Sequence, residues 1–186
     1  MRKIFLVILI LVLPARVPAG MADGSTLIAA IRELALQGDG EAQYSLALRY
    51  DMGEGVPRNP ALALRWYARA CAREVAGACF SMGMKYEFGN GVRKNVRQAM
   101  ALYEQAALQG WPMAQFFLGR LYLAGDGIRH DPVRAAAWLT LAAEQEYPNA
   151  AALLQQSMTR LSPGEQARVT AELARLRKKM PPAGKQ

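Results

Sequence analysis

Tyr50-Asp51-Met52-Gly53-Glu54-Gly55-Val56 returns as Tyr86-Glu87-Phe88-Gly89-Asn90-Gly91-Val92 and again as Tyr122-Leu123-Ala124-Gly125-Asp126-Gly127-Ile128, each copy beginning 36 residues after the one before. A fixed period between about 20 and 50 residues marks a stack of like units, none of which can bury its apolar face alone. The paired glycines (Gly53 and Gly55, Gly89 and Gly91, Gly125 and Gly127) read as structural turns, because glycine takes the left-handed conformation with which helices end. As phosphate cradles they lack the preceding strand that such loops require.

Upstream of each turn the same kinds of residue recur at matching positions: Ala42, Tyr44, Leu46 and Ala47; Ala78, Phe80, Met82 and Gly83; Ala114, Phe116, Leu118 and Gly119. Each set predicts a first helix. Downstream, a short extended connector leads to Asn59, Asn95 or Asp131, whose side chains cap a second helix by accepting its free N–H groups. Pro60 and Pro132 follow at the first helical position, where a missing N–H costs nothing. The second helices carry Ala63, Trp66, Tyr67 and Ala70; Ala99, Leu102, Tyr103 and Ala106; Ala135, Trp138, Leu139 and Ala142. These i, i+3, i+4, i+7 stripes bury one helix face. Ala47, Gly83 and Gly119 are placed where paired helices approach closely, and Trp66 and Trp138 in the wider spaces between layers.

The chain therefore reads as all-α, a solenoid of antiparallel helix pairs with repeats at 41–74, 77–110 and 113–147. Ahead of them, Leu27, Ile28, Ile31, Leu34 and Ala35 predict a capping helix within 25–38, begun by Ser25 and stopped by Gly38. Behind them, residues 148–180 read as a partial fourth repeat and a terminal helix that opens at the capping box Ser162-Pro163-Gly164-Glu165. Residues 181–186, starting Pro181-Pro182, read as a disordered tail.

The first 19 residues fall outside this scheme. Arg2 and Lys3 precede an uncharged apolar run from Ile4 to Leu13, and Val17-Pro18-Ala19 fits a small-residue cleavage site, with Ala22 a second candidate. This is the pattern of a secretory signal peptide. The run is too short to span about 30 Å of hydrocarbon as a helix, so no stable membrane insertion is expected after cleavage. The whole chain has 23 basic and 15 acidic residues. Removing Arg2, Lys3 and Arg16 takes the 23 to 20 and the net charge from +8 to +5. The basic residues gather near the C-terminus without interleaved aromatics, which argues against a nucleic-acid partner and for a solvated tail.

The pattern A-x-Y-x-L-[AG]-x-x-Y-x-x-G-x-G-V, followed by [ND]-x-x-x-A-x-x-W-Y-x-x-A, resembles the Sel-like repeat, a relative of the tetratricopeptide repeat. That resemblance implies a right-handed superhelix whose concave surface binds other proteins. For an exported bacterial member it implies a periplasmic or secreted adaptor for envelope proteins. The segment Ala70-Cys71 … Gly77-Ala78-Cys79-Phe80 is also similar to the disulfide-bearing linker of the family's cysteine-rich secreted subgroup. The likeness implies a Cys71–Cys79 bridge, which the spacing around a helix hairpin permits and an oxidising compartment would favour.

No catalytic constellation emerges. His130 is the only histidine, and alone it builds neither a multi-histidine metal site nor a Ser/His/Asp triad. Cys71 and Cys79 are not a Cys-x-x-Cys redox pair. β-Lactam chemistry calls for Ser-x-x-Lys and Lys-Thr-Gly, whereas Lys85 stands four residues after Ser81 and no Lys-Thr-Gly occurs. The expectation is a non-enzymatic monomer with no cofactor and no metal, binding envelope protein. Cell-wall glycan binding is the alternative of a different class. By the tetratricopeptide analogy its concave face is Tyr44, Leu48, Asp51 and Met52, then Phe80, Met84, Glu87 and Phe88, then Met113, Phe116, Arg120 and Leu123.

Overall fold

The computed structural model describes residues 24–181; the expected signal segment and the residues after Pro181 lie outside them. Among the described residues there are nine helices and no strand. The N-terminal helix α1 is Gly24–Leu36. Three pairs follow: α2 (Gly40–Met52) with α3 (Pro60–Ala72), α4 (Ala76–Phe88) with α5 (Val96–Leu108), and α6 (Pro112–Ala124) with α7 (Pro132–Glu144). A short α8 (Ala150–Met158) and a long α9 (Pro163–Lys179) end the chain. Every helix up to α8 packs on the next, and α9 turns back onto α7. The result is an all-α solenoid in which each pair is a layer.

The local rules hold at nearly every joint. Asn59, Asn95 and Asp131 each accept from a backbone N–H three residues on, at 3.0, 3.1 and 3.0 Å. Their own N–H groups return to the carbonyls of Tyr50, Tyr86 and Tyr122, so each connector is closed by its N-cap residue. Gly53, Gly89 and Gly125 end the first helices at φ +81°, +75° and +71°. The second glycine has a packing role too. A Cβ on Gly55 would lie 2.2 Å from Ile28 Cδ1 on α1, and one on Gly127 3.2 Å from Val96 Cβ on α5, each the helix that precedes its own repeat. Ser162 and Glu165 form the reciprocal capping box at the start of α9.

Close approach within a layer is visible at two glycines. A Cβ on Gly83 would sit 2.5 Å from the Tyr103 ring, and one on Gly119 2.6 Å from Leu139 Cγ. Distances under 3 Å leave no room for a methyl, so the α4–α5 and α6–α7 spacings depend on bare backbone there. Ala47, Trp66 and Trp138 are buried with them.

At the N-terminal end the outcome differs from expectation. The helix begins at Gly24, which puts Ser25 within it instead of ahead of it. Ile28 and Ala35 are buried, but Leu27, Leu34 and Leu36 are exposed. Among the described residues α1 packs chiefly on α2 and buries only the part of its apolar stripe that faces it.

Layers are joined by a device repeated at one position. Gln43 Nε2 donates to the Ala35 carbonyl eight residues back (3.0 Å), and Gln115 Nε2 does the same to Ala107 (3.2 Å). Cys79 stands midway in register between these glutamines, and it is bonded to Cys71, the counterpart of Ala35 and Ala107, with Cα atoms 4.7 Å apart. Both sulfurs are buried at the α3–α4 junction.

Candidate functional site

The first helices α2, α4 and α6 carry the expected concave-face residues, and the structure divides them. Met52 and Phe88 are 62% and 51% exposed. They occupy the same register, the last helical position before a left-handed glycine, so solvated apolar side chains recur one layer apart. Ala124 takes that place in α6. Leu48, Met84, Met113 and Leu123 are half-buried against the core, as is Tyr44. Tyr44 lies over Gly77, where a Cβ would be 3.0 Å from its ring. Phe116 is half-buried, its ring centroid 5.1 Å from that of Tyr147.

Four of the expected residues are engaged otherwise. Phe80 is only 8% exposed, its ring 5.2 Å from both Tyr103 and Phe117. Asp51 accepts from Lys85 Nζ at 2.6 Å and from the Tyr67 hydroxyl at 3.4 Å. Glu87, 6% exposed, accepts from the Tyr103 hydroxyl at 2.7 Å and is ion-paired with Arg120. Arg120 also lies over the Phe117 ring, 4.9 Å from its centroid. Phe80 and Glu87 are therefore removed from any recognition surface, and Asp51 and Arg120 are spoken for. The physical reason is the same in both layers. An acid in the last turn of a first helix can reach the tyrosine of its own second helix and a cation on the next first helix, and a charge that deep must be paired.

These clusters tie consecutive layers and polarise their tyrosines. Burial, then the Asp51 carboxylate, holds the Tyr67 phenol well above the usual tyrosine range. Burial, then the hydrogen bond to Glu87, does so at Tyr103. In the third layer the acid and tyrosine positions are Leu123 and Leu139, and no such cluster forms there. A pocket of about 540 Å3 opens instead, floored by Leu123, Leu153 and Leu161 and rimmed by His130 and Arg160.

Two residues of the face escaped the sequence reading. Lys85 is buried and anchors Asp51, and Trp111, at the entrance of α6, is 37% exposed. Trp111 was legible as a large apolar side chain at a helix N-cap, a position that asks for a polar one. Among the described residues no cluster of three or more His, Cys, Asp or Glu could hold a metal. No helix among them is long and apolar enough to cross a membrane.

Stacked helix pairs, glycine-limited spacing and an apolar first-helix face define a helical-repeat scaffold, a class that typically serves protein–protein interaction. The chain belongs to the Sel1 repeat family, whose pattern matches residues 40–74, 76–111 and 112–147. Among solved structures, a Sel1 repeat protein from Oxalobacter formigenes is 36% identical, with a TM-score of 0.66 over 69% of this chain and 97% of that one. Another is c5321, a protective antigen of uropathogenic Escherichia coli displaying an SLR fold. It is 25% identical with a TM-score of 0.58, and the match covers 88% of this chain and 43% of c5321. Helicobacter pylori cysteine rich protein B shares the fold at 19% identity, with a TM-score of 0.56 over 71% of this chain and all of that one. No curated protein matches the chain.

Proposed function

We propose that this protein is a non-catalytic adaptor of the bacterial envelope, periplasmic or secreted, that binds a partner protein on its first-helix face. The observation that carries the reading is the pair Met52 and Phe88, two large apolar side chains held in solvent at equivalent positions of adjacent layers. Flexible Met and an aromatic ring suit an adaptable protein contact. Met84 and Leu48 lie half-buried one turn earlier and would extend the contact inward. The leader-like N-terminus and the Cys71–Cys79 bridge support an oxidising compartment.

The test is crosslinking in intact cells followed by purification, comparing the native chain with Met52→Glu/Phe88→Glu. Both side chains are exposed, so the variant keeps the fold, which circular dichroism checks. Loss of specific crosslinked partners supports the reading. An unchanged partner set refutes the face, and co-sedimentation of both proteins with purified sacculi would move the function to cell-wall glycan.

A further inference from the structure

A hollow beside the last turn of a first helix occurs in the first layer and again in the third, and the two copies are furnished differently. Between α2 and α4 it encloses about 470 Å3 beside Asp51, Met52, Arg58 and Lys85. Between α6 and α8 it encloses about 540 Å3, and two repeats on the same places are Leu123, Ala124, His130 and Ser157. In the first copy the chain supplies its own anion. The Asp51 carboxylate accepts from Lys85 Nζ at 2.6 Å, and Arg58 Nε donates to the Asp51 carbonyl at 3.0 Å. In the third copy no acid stands in that register, and the buried Ser157 hydroxyl donates to the Leu153 carbonyl at 2.7 Å.

What remains in the third hollow is cation over leucine. Leu123, Leu153 and Leu161 form the floor. His130 and Arg160 stand exposed at the rim, and neither has an ion pair among the described residues. Arg120, also at the rim, is held by Glu87. The rim acid Glu165 is turned to Ser162, whose N–H and hydroxyl donate to it at 2.9 and 2.7 Å. Ala124 replaces the longer Met52 at the mouth. Cations beside an apolar wall attract an anion more strongly than they would in open water, and the leucines reward whatever apolar surface comes with it.

We infer that the α6–α8 hollow binds the C-terminal residue of the partner protein, with an apolar side chain on Leu123, Leu153 and Leu161 and the terminal carboxylate between His130 and Arg160. The inference rests on the first-helix reading above and names the part of the partner that the face takes. Charge complementarity selects the anion, and a guanidinium matches the two oxygens of a carboxylate. The volume is that of a small-ligand pocket, which suits the end of a chain better than a folded surface. Continuity selects a chain end over a free acid. Arg120 borders the hollow and holds Glu87, the neighbour of Phe88, so a chain leaving the hollow past Arg120 runs onto the face that carries Phe88 and Met52. The ligand carboxylate then stands where the first layer keeps its own.

The test is NMR titration of methyl-labelled full chain with three probes: N-acetyl-glycyl-leucyl-leucine, the same peptide as its C-terminal amide, and decanoate. The free peptide acid is expected to shift the Leu123, Leu153 and Leu161 methyls, and the amide to bind about tenfold more weakly for want of charge-assisted hydrogen bonds. Arg160→Glu, at an exposed position, should weaken the acid by at least about tenfold. Leu123→Asp gives the third hollow the anion that the first already has and should do the same, with circular dichroism checking the fold of both variants. No shift of those methyls at millimolar probe, equal binding of acid and amide, or undiminished binding by Arg160→Glu overturns the inference. Binding of decanoate without the peptide overturns it in favour of a free acid. The short probe stays within the hollow, so Met52→Glu/Phe88→Glu should bind it unchanged. A failed titration beside lost crosslinks strikes this inference alone, and a successful one beside unchanged crosslinks strikes the Met52 and Phe88 face alone.

Discussion

The α3–α4 disulfide can be exchanged for the neighbouring layers' own solution. Cys71 and Cys79 occupy the register of Ala35 and Gln43 and of Ala107 and Gln115, where a glutamine amide donates to a helix-end carbonyl eight residues back. Cys71→Ala/Cys79→Ala removes the crosslink. For a closed loop of eight residues, chain entropy alone sets the loss at about 2.5 kcal/mol, and the missing sulfurs leave a buried void besides. In a chain of this size that is a fall in Tm of about 5–10 °C. Cys71→Ala/Cys79→Gln installs the residues found one layer to either side. The amide refills the void and takes the place of Gln105 Nε2, now 3.3 Å from the residue-71 carbonyl, which keeps its bond from the Glu74 N–H at 3.0 Å just as the Ala35 and Ala107 carbonyls accept from Gly38 and Gly110. Recovery of about 1 kcal/mol relative to the double alanine is expected. Cys71→Ala/Cys79→Met separates the contributions, since methionine fills space without donating. Urea denaturation of the three variants, followed by circular dichroism, gives the order Gln, then Met, then Ala. If glutamine is no better than methionine, the junctions are not equivalent and the reasoning fails.

Gly83→Leu drives a side chain into the Tyr103 ring, 2.5 Å from where its Cβ must stand, and should cost at least about 1–3 kcal/mol in thermal denaturation; a neutral result would reassign the close face of α4. Glu146 holds φ +55° at the end of α7, where α5 uses Gly110, so Glu146→Gly should stabilise by about 1 kcal/mol through relief of a left-handed residue. A lower Tm would show that the chain-entropy cost of glycine outweighs it. Tyr67 and Tyr103 keep their protons in the fold above the ordinary tyrosine value of 10.0. The unfolded chain sheds them near that value, so their contribution is complete below pH 10 and lost as pH rises beyond it. Ultraviolet titration should show these two phenols ionising together with loss of helicity; smooth ionisation without unfolding would contradict their burial.

What the sequence discloses about this fold, it discloses through backbone chemistry. Turn glycines, Asn and Asp caps and prolines at helix starts act within four residues, and they were placed correctly from spacing alone. The first-helix face was harder to read because its side chains act across layers. Asp51 and Glu87 look like solvated charges at the end of a helix, yet their cations lie 34 and 33 residues on. Which residues meet at such a distance depends on how each layer is rotated on the last, and no local pattern encodes that. Phe80 and Phe116 share a register and differ in burial because Phe80 is enclosed by Tyr103 and Phe117, whereas Phe116 lies at the side of the cluster. The register of Gln43, Cys79 and Gln115 was in view at a shift of 36, but its meaning needed the carbonyls opposite.

The unequal fastening of the layers sets a direction to their dissolution. In a one-dimensional array each boundary contributes its own coupling energy, and the weakest boundary decides where melting starts. The α3–α4 boundary has a covalent bond and the Asp51–Lys85 pair, and the α5–α6 boundary has Gln115 and the Glu87–Arg120 pair. At the boundary with α8 the corresponding residues are Ala143, Ala151 and Leu123. That boundary rests instead on the apolar packing of α8 on α7, while α9 clamps α7 from elsewhere, with the Arg177–Glu144 pair between them. The last helix is thus a removable latch on α7, and whatever loosens α9 bares that side of α7 while α8 keeps its own packing on it and the first two layers stand.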